Sequence, residues 1–535
     1  MSEYQPIPER FNITAAALDR HVAEGRGNRI ALHFSGRAYS YAELQLSVNA
    51  CGNALRHLAL GPGDHYVIRS HNRPEYLIAL LAGMKIGAVP IPTNSLFRIW
   101  ELEHILRNSE SRVVFTSSGL ADAVLEVKKN CKSLHHVIVF DEAVSSDTLS
   151  FPDFLRGAST ELQPADTRAS DPAFAIYTSG TTGQPKGVEH AHRWLVATGD
   201  PITRLLMCLT EDDLCFSPLE ISFIYALGCN FLFPLYAGAA VAMMPGRFDP
   251  ERTLAAIDSL KPTIFIAVPT IFRRLLALGD TLRKYDLSSL RMAMSSGEPL
   301  PIDTLRQAKE RLGIEIYDCL GQTEIHIFMK PEPQRKLGSL GKPLPGHVVA
   351  ILNEQGQEVA VGEIGHLVIR SDDPGLCLGY RGMGETWGQC HRDGWYYTKD
   401  LAYRDEDGFY WYVSRSDDLI KSRAYLISPR EVESAIMEHP AVLEAGVIGT
   451  PDEQIGQRVT AFVSLKPGHH SNSNLSEEII RLVRDKIAYF KAPKEIIFVE
   501  SLPRTATGKL IRHELRARVA PSGLAPGNPS AVHKI

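Results

Sequence analysis

A chain of 535 residues is too long for one simple core, so at least two domains are expected. Its net charge of −5 and its 44% apolar content exclude an ordinary disordered chain and argue against a nucleic-acid binder, which would show a basic footprint. Its eight cysteines (51, 131, 208, 215, 229, 319, 377 and 390) include no Cys-x-x-Cys pair, which argues against a metal framework or disulfide scaffold and predicts reduced, mostly buried thiols.

The opening "MSEYQPIPER" carries charges where a signal peptide needs an apolar run, so the expected location is cytoplasmic. Strand-like and helix-like pieces then alternate. "HYVIRS" (65–70) precedes the helical "PEYLIALLAGMKIG" and then "AVPIPTN"; "ELEHILRNSE" precedes "RVVFTS", and "LADAVLEVKKN" precedes "HHVIVFD". The same rhythm returns in "TIFIAV" (263–268), "RMAMSS" (291–296) and "IEIYDC" (314–319). Strands that are apolar throughout and separated by helices predict mostly parallel, doubly wound sheets covered on both faces, an α/β fold. No fixed-period repeat points to a solenoid.

Residues 221–246, "ISFIYALGCNFLFPLYAGAAVAMMPG", hold no charge, and about 20 apolar residues can span a bilayer. Asn230, Pro234 and the glycines interrupt the run, and "AAVAMM" reads as a separate strand. A buried helix followed by a strand is expected, without stable membrane insertion.

From about residue 345 the texture changes. "HVVAILNEQGQEVAVGEIGHLVIRS" has short strands and turn residues, predicting a small antiparallel β subdomain over about 345–416 within a large domain 1–416. In "SPREVE", Ser428 is a candidate N-cap, with Pro429 at the first helical position and Glu431 at the third, a capping-box pattern. A small α+β domain is expected over 417–520. The tail 521–535, "PSGLAPGNPSAVHKI", lacks apolar periodicity and is expected to be disordered.

The chemistry concentrates in "AIYTSGTTGQPKGVEH" (175–190), where a strand runs into glycines, hydroxyls and a lysine. Glycines let backbone approach a ligand closely, and successive amides in a turn make an anion-binding nest. Thr178, Ser179, Thr181 and Thr182 add hydroxyls around Gly180 and Gly183, and Lys186 adds a point charge. Phosphate is the natural guest. A Walker loop is excluded, because Lys186 follows Pro185 and precedes Gly187. Taken alone, a Gly-rich surface loop remains open.

The stretch closely resembles the phosphate loop of the adenylate-forming superfamily, which includes acyl-CoA synthetases, luciferases and peptide-synthetase adenylation domains. Further stretches match in the same order: "SSGEPL" (295–300), "YDCLGQTE" (317–324), "GWYYTKD" (394–400), "SRSDDLIKSRAYLISPREVE" (414–433) and "PRTATGKLIR" (503–512). The resemblance covers nearly the whole chain. It implies a two-step reaction: a carboxylate attacks the α-phosphate of ATP to give an acyl-adenylate and pyrophosphate, and a thiol then displaces AMP. The first step joins anions and needs positioning and positive charge more than a strong base.

By resemblance, Thr178 to Lys186 hold the β- and γ-phosphates and Thr323 donates to the α-phosphate. Glu324 helps hold Mg2+, a hard cation suited to carboxylate and phosphate oxygens. Gly297, Glu298, Pro299 and Asp318 frame the adenine, with Gln322 alongside. Asp400 accepts from the ribose hydroxyls, and Arg415 lies near ribose and phosphates. Read singly, Asp400 would be a cap and Arg415 a solvated surface cation. Lys509 is placed against the carboxylate and α-phosphate, where an ammonium offsets growing charge. The segment from Arg484 to Arg518 has nine basic and four acidic residues, which suits ATP and CoA phosphates and equally a solvated basic face. Asp417 is the expected hinge about which a mobile C-terminal domain swings between half-reactions. The family usually has glycine at the position of Ala424, near the pantetheine path, so the resemblance speaks less firmly for the thiol step.

Absence of a carrier-protein or reductase segment favours a stand-alone ligase using free CoA. The alternatives are an enzyme loading a separate carrier protein and a catalytically dead nucleotide-binding protein. "FIYALG" (223–228) and "GQTEIHIF" (321–328) resemble benzoate-CoA ligases, which places Ile224, Tyr225, Gly321, His326 and Ile327 around the acyl group. Benzoate-type enzymes carry one more residue before that histidine. Medium-chain acyl-CoA synthetases are also similar. Plain core packing of Ile224 and Tyr225, or a backbone contact of His326, would explain those residues as well. Acetate-specific relatives have tryptophan at the position of Gly321, so glycine there is expected to leave open volume for an acid larger than acetate. An aromatic or alicyclic carboxylic acid is the expected small-molecule partner, with medium-chain fatty acid next. A homodimer is left open.

Overall fold

The apolar runs at His65–Arg69, Val89–Thr93, Val113–Thr116 and His136–Val139 become strands of one parallel sheet, edged by Leu149–Ser150. Helix Pro74–Lys85, started by its proline, is buried at every position except Glu75. Such an all-round apolar helix belongs inside a core. Even Lys85 is buried, its ammonium donating to Asp19 (2.7 Å) and Asn49 (2.6 Å).

This computed structural model describes residues 6–179, 184–332, 336–422, 425–452, 454–504 and 510–519. They divide into two units. The first comprises residues up to 363 with 367–398 and 404–411, and the second comprises 364–366, 399–403 and 412 onward. The division falls slightly ahead of the expected 416/417 boundary.

A second, seven-stranded sheet of the first unit runs in the order Ile316–Asp318, Met292–Ser295, Ile264–Ala267, Leu214–Ser217, Ala240–Met243, Ile30–Phe34 and Arg37–Ser40. Every pairing is parallel except the last, a hairpin. The uncharged run at 221–246 forms buried helical turns, Ile224–Ala226, Leu227–Leu232 and Phe233–Ala237. Gly238 (φ +87°) reverses the chain into the sheet strand Ala240–Met243. Among the described residues, no helix is long and apolar enough to cross a membrane. Of the eight cysteines, all free, only Cys208 is exposed.

Pro172–Ser179 and Pro185–Ala191 form an antiparallel hairpin, flanked on the second strand by Gly379–Tyr380. The small antiparallel sheet expected after residue 345 is built from Val349–Leu352, Gly365–Arg370, His391–Arg392, Trp395–Arg404 and Tyr410–Arg415.

In the second unit a sheet runs in the order Tyr425–Ile427, Ile420–Ser422, Gly456–Leu465 and Val442–Asp452, with Glu495–Phe498 parallel to the third strand. Helices Pro429–Met437 and Ser473–Lys486 supply Val432, Ile436, Ile479 and Val483 to its core. The expected capping box at the first of these helices does not form. The Ser428 hydroxyl donates to the Val413 carbonyl (2.6 Å), and Glu431 takes the Lys491 ammonium at 2.6 and 2.7 Å. A neighbouring strand and a cation outcompete the helix's own amides for both side chains.

Candidate active site

The hairpin puts Thr178 opposite Lys186 and Ser179 opposite Pro185. Gly180, Thr181, Thr182 and Gly183 lie outside the described residues. Lys186, half-buried, has its ammonium 5.0 Å from the centroid of the Tyr380 ring, within cation–π range. The Tyr380 hydroxyl donates to Glu324 Oε1 (2.7 Å), and the Cys377 amide donates to the Glu324 carbonyl (2.7 Å). Burial, then the nearby Glu324 charge, pushes the Tyr380 phenol well above its ordinary range, so it stays a donor. Sequence reasoning missed Tyr380. Nothing in "GLCLGYRG" shows that its strand pairs with the strand Pro185–Ala191.

Strands Met292–Ser295 and Ile316–Asp318 are parallel neighbours, so "SSGEPL" and "YDCLGQTE" both start at their carboxyl ends. Crevices at that edge are where open α/β sheets take ligands. Asp318 Oδ2 accepts from the Leu300 amide (3.0 Å), which joins the two stretches. Gly297 (φ +96°) turns the chain just after the first of these strands. Glu298 accepts from Thr270 (3.1 Å) and lies 3.7 Å from Arg273, with Pro299 next in the chain. Gln322 donates to the Thr398 carbonyl (2.7 Å) and accepts from Tyr396 (3.1 Å), so its amide binds the strand Trp395–Thr398. Thr323 and Glu324 follow it, both half-buried.

Ile224, Tyr225, His326 and Ile327 are all buried and come together. The His326 ring centroid lies 6.5 Å from Tyr225, 5.0 Å from Phe233 and 5.5 Å from Trp194. Gly228 is required here, because a Cβ on it would stand 2.4 Å from His326 Nε2. Neither His326 nitrogen has a partner in hydrogen-bond geometry, although the Ile224 and Tyr225 backbone partly offsets the effect of burial. Burial, aided by His190, lowers the imidazole pKa to about 3, and the ring is neutral. His326 also has φ +70°, a left-handed conformation unusual for a non-glycine residue.

The expectation that Gly321 opens volume for the acid is corrected. Gly321 pairs with Ile327 in the hairpin Leu320–Gln322/His326–Lys330. A Cβ there would meet the His326 carbonyl oxygen at 2.5 Å and Ile327 Cα at 3.0 Å. The space beside it is filled by backbone.

In the second unit, Asp400 is buried and Arg415 Nη1 lies 3.4 Å from its Oδ1. The preceding Lys399 takes φ +63°. Arg415 Nε lies 3.7 Å from Asp417 Oδ1. Asp418, not singled out by sequence, is 3.1 Å from Arg516 and 3.7 Å from Arg512, which anchors it to helix Arg512–Val519. Lys509 and Ala424 lie outside the described residues, while Arg504 and Leu510, flanking the lysine loop, pair antiparallel.

Among the described residues, no group of three or more His, Cys, Asp or Glu is placed to hold a metal. The Glu324 carboxylate is a hard oxygen donor of the kind that would suit Mg2+, an ion that rarely takes a full protein cage.

The AMP-binding enzyme family model matches residues 19–381, and the AMP-binding enzyme C-terminal domain model matches 431–509. The chain is 35% identical to a benzoate–CoA ligase of Thauera aromatica, over 96% of this chain and 97% of that one. It is 33% identical to an acetyl-coenzyme A synthetase of Bacillus subtilis, over 95% and 90%. Among solved structures, an anthranilate–CoA ligase in complex with anthranoyl-AMP superposes with a TM-score of 0.91 at 34% identity, covering 96% of this chain and 98% of that one.

Proposed function

Since the chain belongs to the AMP-binding enzyme family, we propose that it is an AMP-forming acid–CoA ligase that activates an aromatic carboxylic acid. ATP and the acid give an acyl-adenylate and pyrophosphate; CoA then gives the thioester and AMP. The observation that carries the aromatic reading is the buried, ring-rich and uncharged cluster of Tyr225, His326, Phe233 and Ile327. A neutral imidazole keeps that cluster compatible with an apolar ring. The similarity to a benzoate–CoA ligase and an anthranilate–CoA ligase over nearly the full chain supports the same reading.

Within this proposal Lys186 and the loop ahead of it bind the terminal phosphates, Thr323 the α-phosphate, and Glu324 the Mg2+. Asp318 and the turn at Gly297 border the adenine, and Asp400 with Arg415 meets the ribose. Lys509 supplies positive charge to the adenylation step, and Asp417 is the pivot between half-reactions. A cytoplasmic location belongs to the same reading.

The test is acid-dependent exchange of labelled pyrophosphate into ATP without CoA, across benzoate, 2-aminobenzoate, cyclohexanecarboxylate, hexanoate and acetate. Exchange strongest with the ring acids is expected. Equal or stronger exchange with acetate would overturn the aromatic assignment and leave adenylation standing.

A further inference from the structure

Glu324 is held at both ends by one segment, its carbonyl by the Cys377 amide and its carboxylate by the Tyr380 hydroxyl. The same segment is laced to the phosphate-loop hairpin. Tyr380 pairs with Val188, the Leu378 amide donates to the Glu189 carbonyl (2.7 Å), and the Arg381 amide to the Gly187 carbonyl (2.8 Å). Arg381 reinforces it by reaching Glu189 (3.2 Å) and the Asn108 carbonyl (3.1 Å). Trp387 packs against the Tyr380 ring, centroids 5.1 Å apart. The Lys186 ammonium stands over the Tyr380 ring and Glu324 takes its hydroxyl. One buried side chain therefore touches a cation and an anion that come from two separate stretches of sequence.

We propose that Tyr380 is a positioning residue for MgATP, its hydroxyl fixing the Glu324 carboxylate and its ring face fixing the Lys186 ammonium. The proposal rests on the nucleotide reading above, and it assigns the two halves of the side chain to two different tasks. A free glutamate samples several rotamers, and a hydrogen bond from a buried donor selects one. An ordered ammonium over an aromatic face likewise gives up less freedom when phosphate arrives. Packing alone would use the ring and leave the hydroxyl without consequence. The 2.7 Å bond to a carboxylate gives it one.

The experiment measures ATP binding by calorimetry across a Mg2+ series, the thermal midpoint, and pyrophosphate exchange for wild type, Tyr380→Phe and Tyr380→Leu. Tyr380→Phe should keep the wild-type thermal midpoint and the affinity for ATP without Mg2+. It should raise the Mg2+ concentration needed for half-maximal ATP binding and exchange roughly tenfold, the scale of one hydrogen bond to a charged group. Tyr380→Leu should also weaken ATP binding without Mg2+, since the ring under Lys186 is gone. In a Glu324→Ala background, Tyr380→Phe should add nothing further. A Phe variant with wild-type Mg2+ dependence overturns the proposal, as does equal loss in Phe and Leu that tracks a lowered thermal midpoint. Wild type that binds MgATP but exchanges with no acid would overturn the adenylation reading, while the binding comparison still decides the role of Tyr380. Wild type that binds no ATP overturns both.

Discussion

Asp400 and Arg415 form an ion pair in which the carboxylate is buried and the guanidinium, 3.4 Å away, stays about one-third exposed. Removing the acid would strip Arg415 of its buried partner and, on the proposed reading, remove the acceptor for the ribose hydroxyls. Losing a hydrogen bond to a charged group costs about 1.5–3 kcal/mol. Asp400→Ala should therefore raise KM for ATP roughly 10- to 100-fold, with KM for the acid little changed. Steady-state kinetics with each substrate varied checks this; a rise confined to the acid would place Asp400 elsewhere.

Asp417 sits between Arg415, which it meets at 3.7 Å, and Asp418, which is anchored to Arg512 and Arg516. A pivot needs one adaptable residue beside a fixed one. Asp417→Pro locks φ near −65° and should leave pyrophosphate exchange intact while abolishing CoA thioester formation. Both half-reactions are measured separately, and wild-type turnover in the variant would remove Asp417 from the hinge.

Gly321 faces the His326 carbonyl oxygen so closely that even a methyl group must displace backbone. Overpacking of this kind costs about 1–3 kcal/mol. Gly321→Ala should lower unfolding stability by that amount in a denaturant titration. Unchanged stability would mean that the hairpin shifts freely.

The parallel sheets were legible in the sequence because each strand is apolar on both faces, as in "HYVIRS" and "TIFIAV". The uncharged run at 221–246 was legible for the related reason that Asn230 and Pro234 break a membrane span but not a buried turn. The strand that runs into the glycine-rich stretch at 180–183 was legible, but its antiparallel return strand Pro185–Ala191 was not. Nor was the partner of Lys186, because Tyr380 lies far along the chain and reaches that lysine only through strand pairing. The Gly321 error has the same origin. A glycine shows that a side chain is missing, but only the register opposite Ile327 shows that backbone fills the place. Ser428 reads as a cap from local spacing, and a non-local carbonyl at Val413 takes its hydroxyl.

His326 and His190 are buried, and burial pushes each imidazole down to about 3. Both are neutral in the fold, whereas an unfolded histidine takes a proton below about 6.5. The unfolded state thus binds more protons between those values. The stability at stake is fully present above about pH 6.5 and is lost as pH falls toward 3, on the order of 2 kcal/mol per histidine by pH 5. His326→Asn should flatten the slope of unfolding free energy between pH 4 and 6.5 by nearly one proton, whatever it does to stability at pH 8. An unchanged slope would mean that His326 is charged or solvated in the fold.

The most direct measurement is kcat/KM for ATP-dependent CoA thioester formation with benzoate, hexanoate and acetate. Burying a ring against Tyr225, Phe233 and Ile327 contributes roughly 1.5–3 kcal/mol more than leaving it exposed. Benzoate should therefore exceed acetate by about one to two powers of ten, with stoichiometric AMP and pyrophosphate released. Preference for acetate, or no thioester from any of the three acids, would contradict the account.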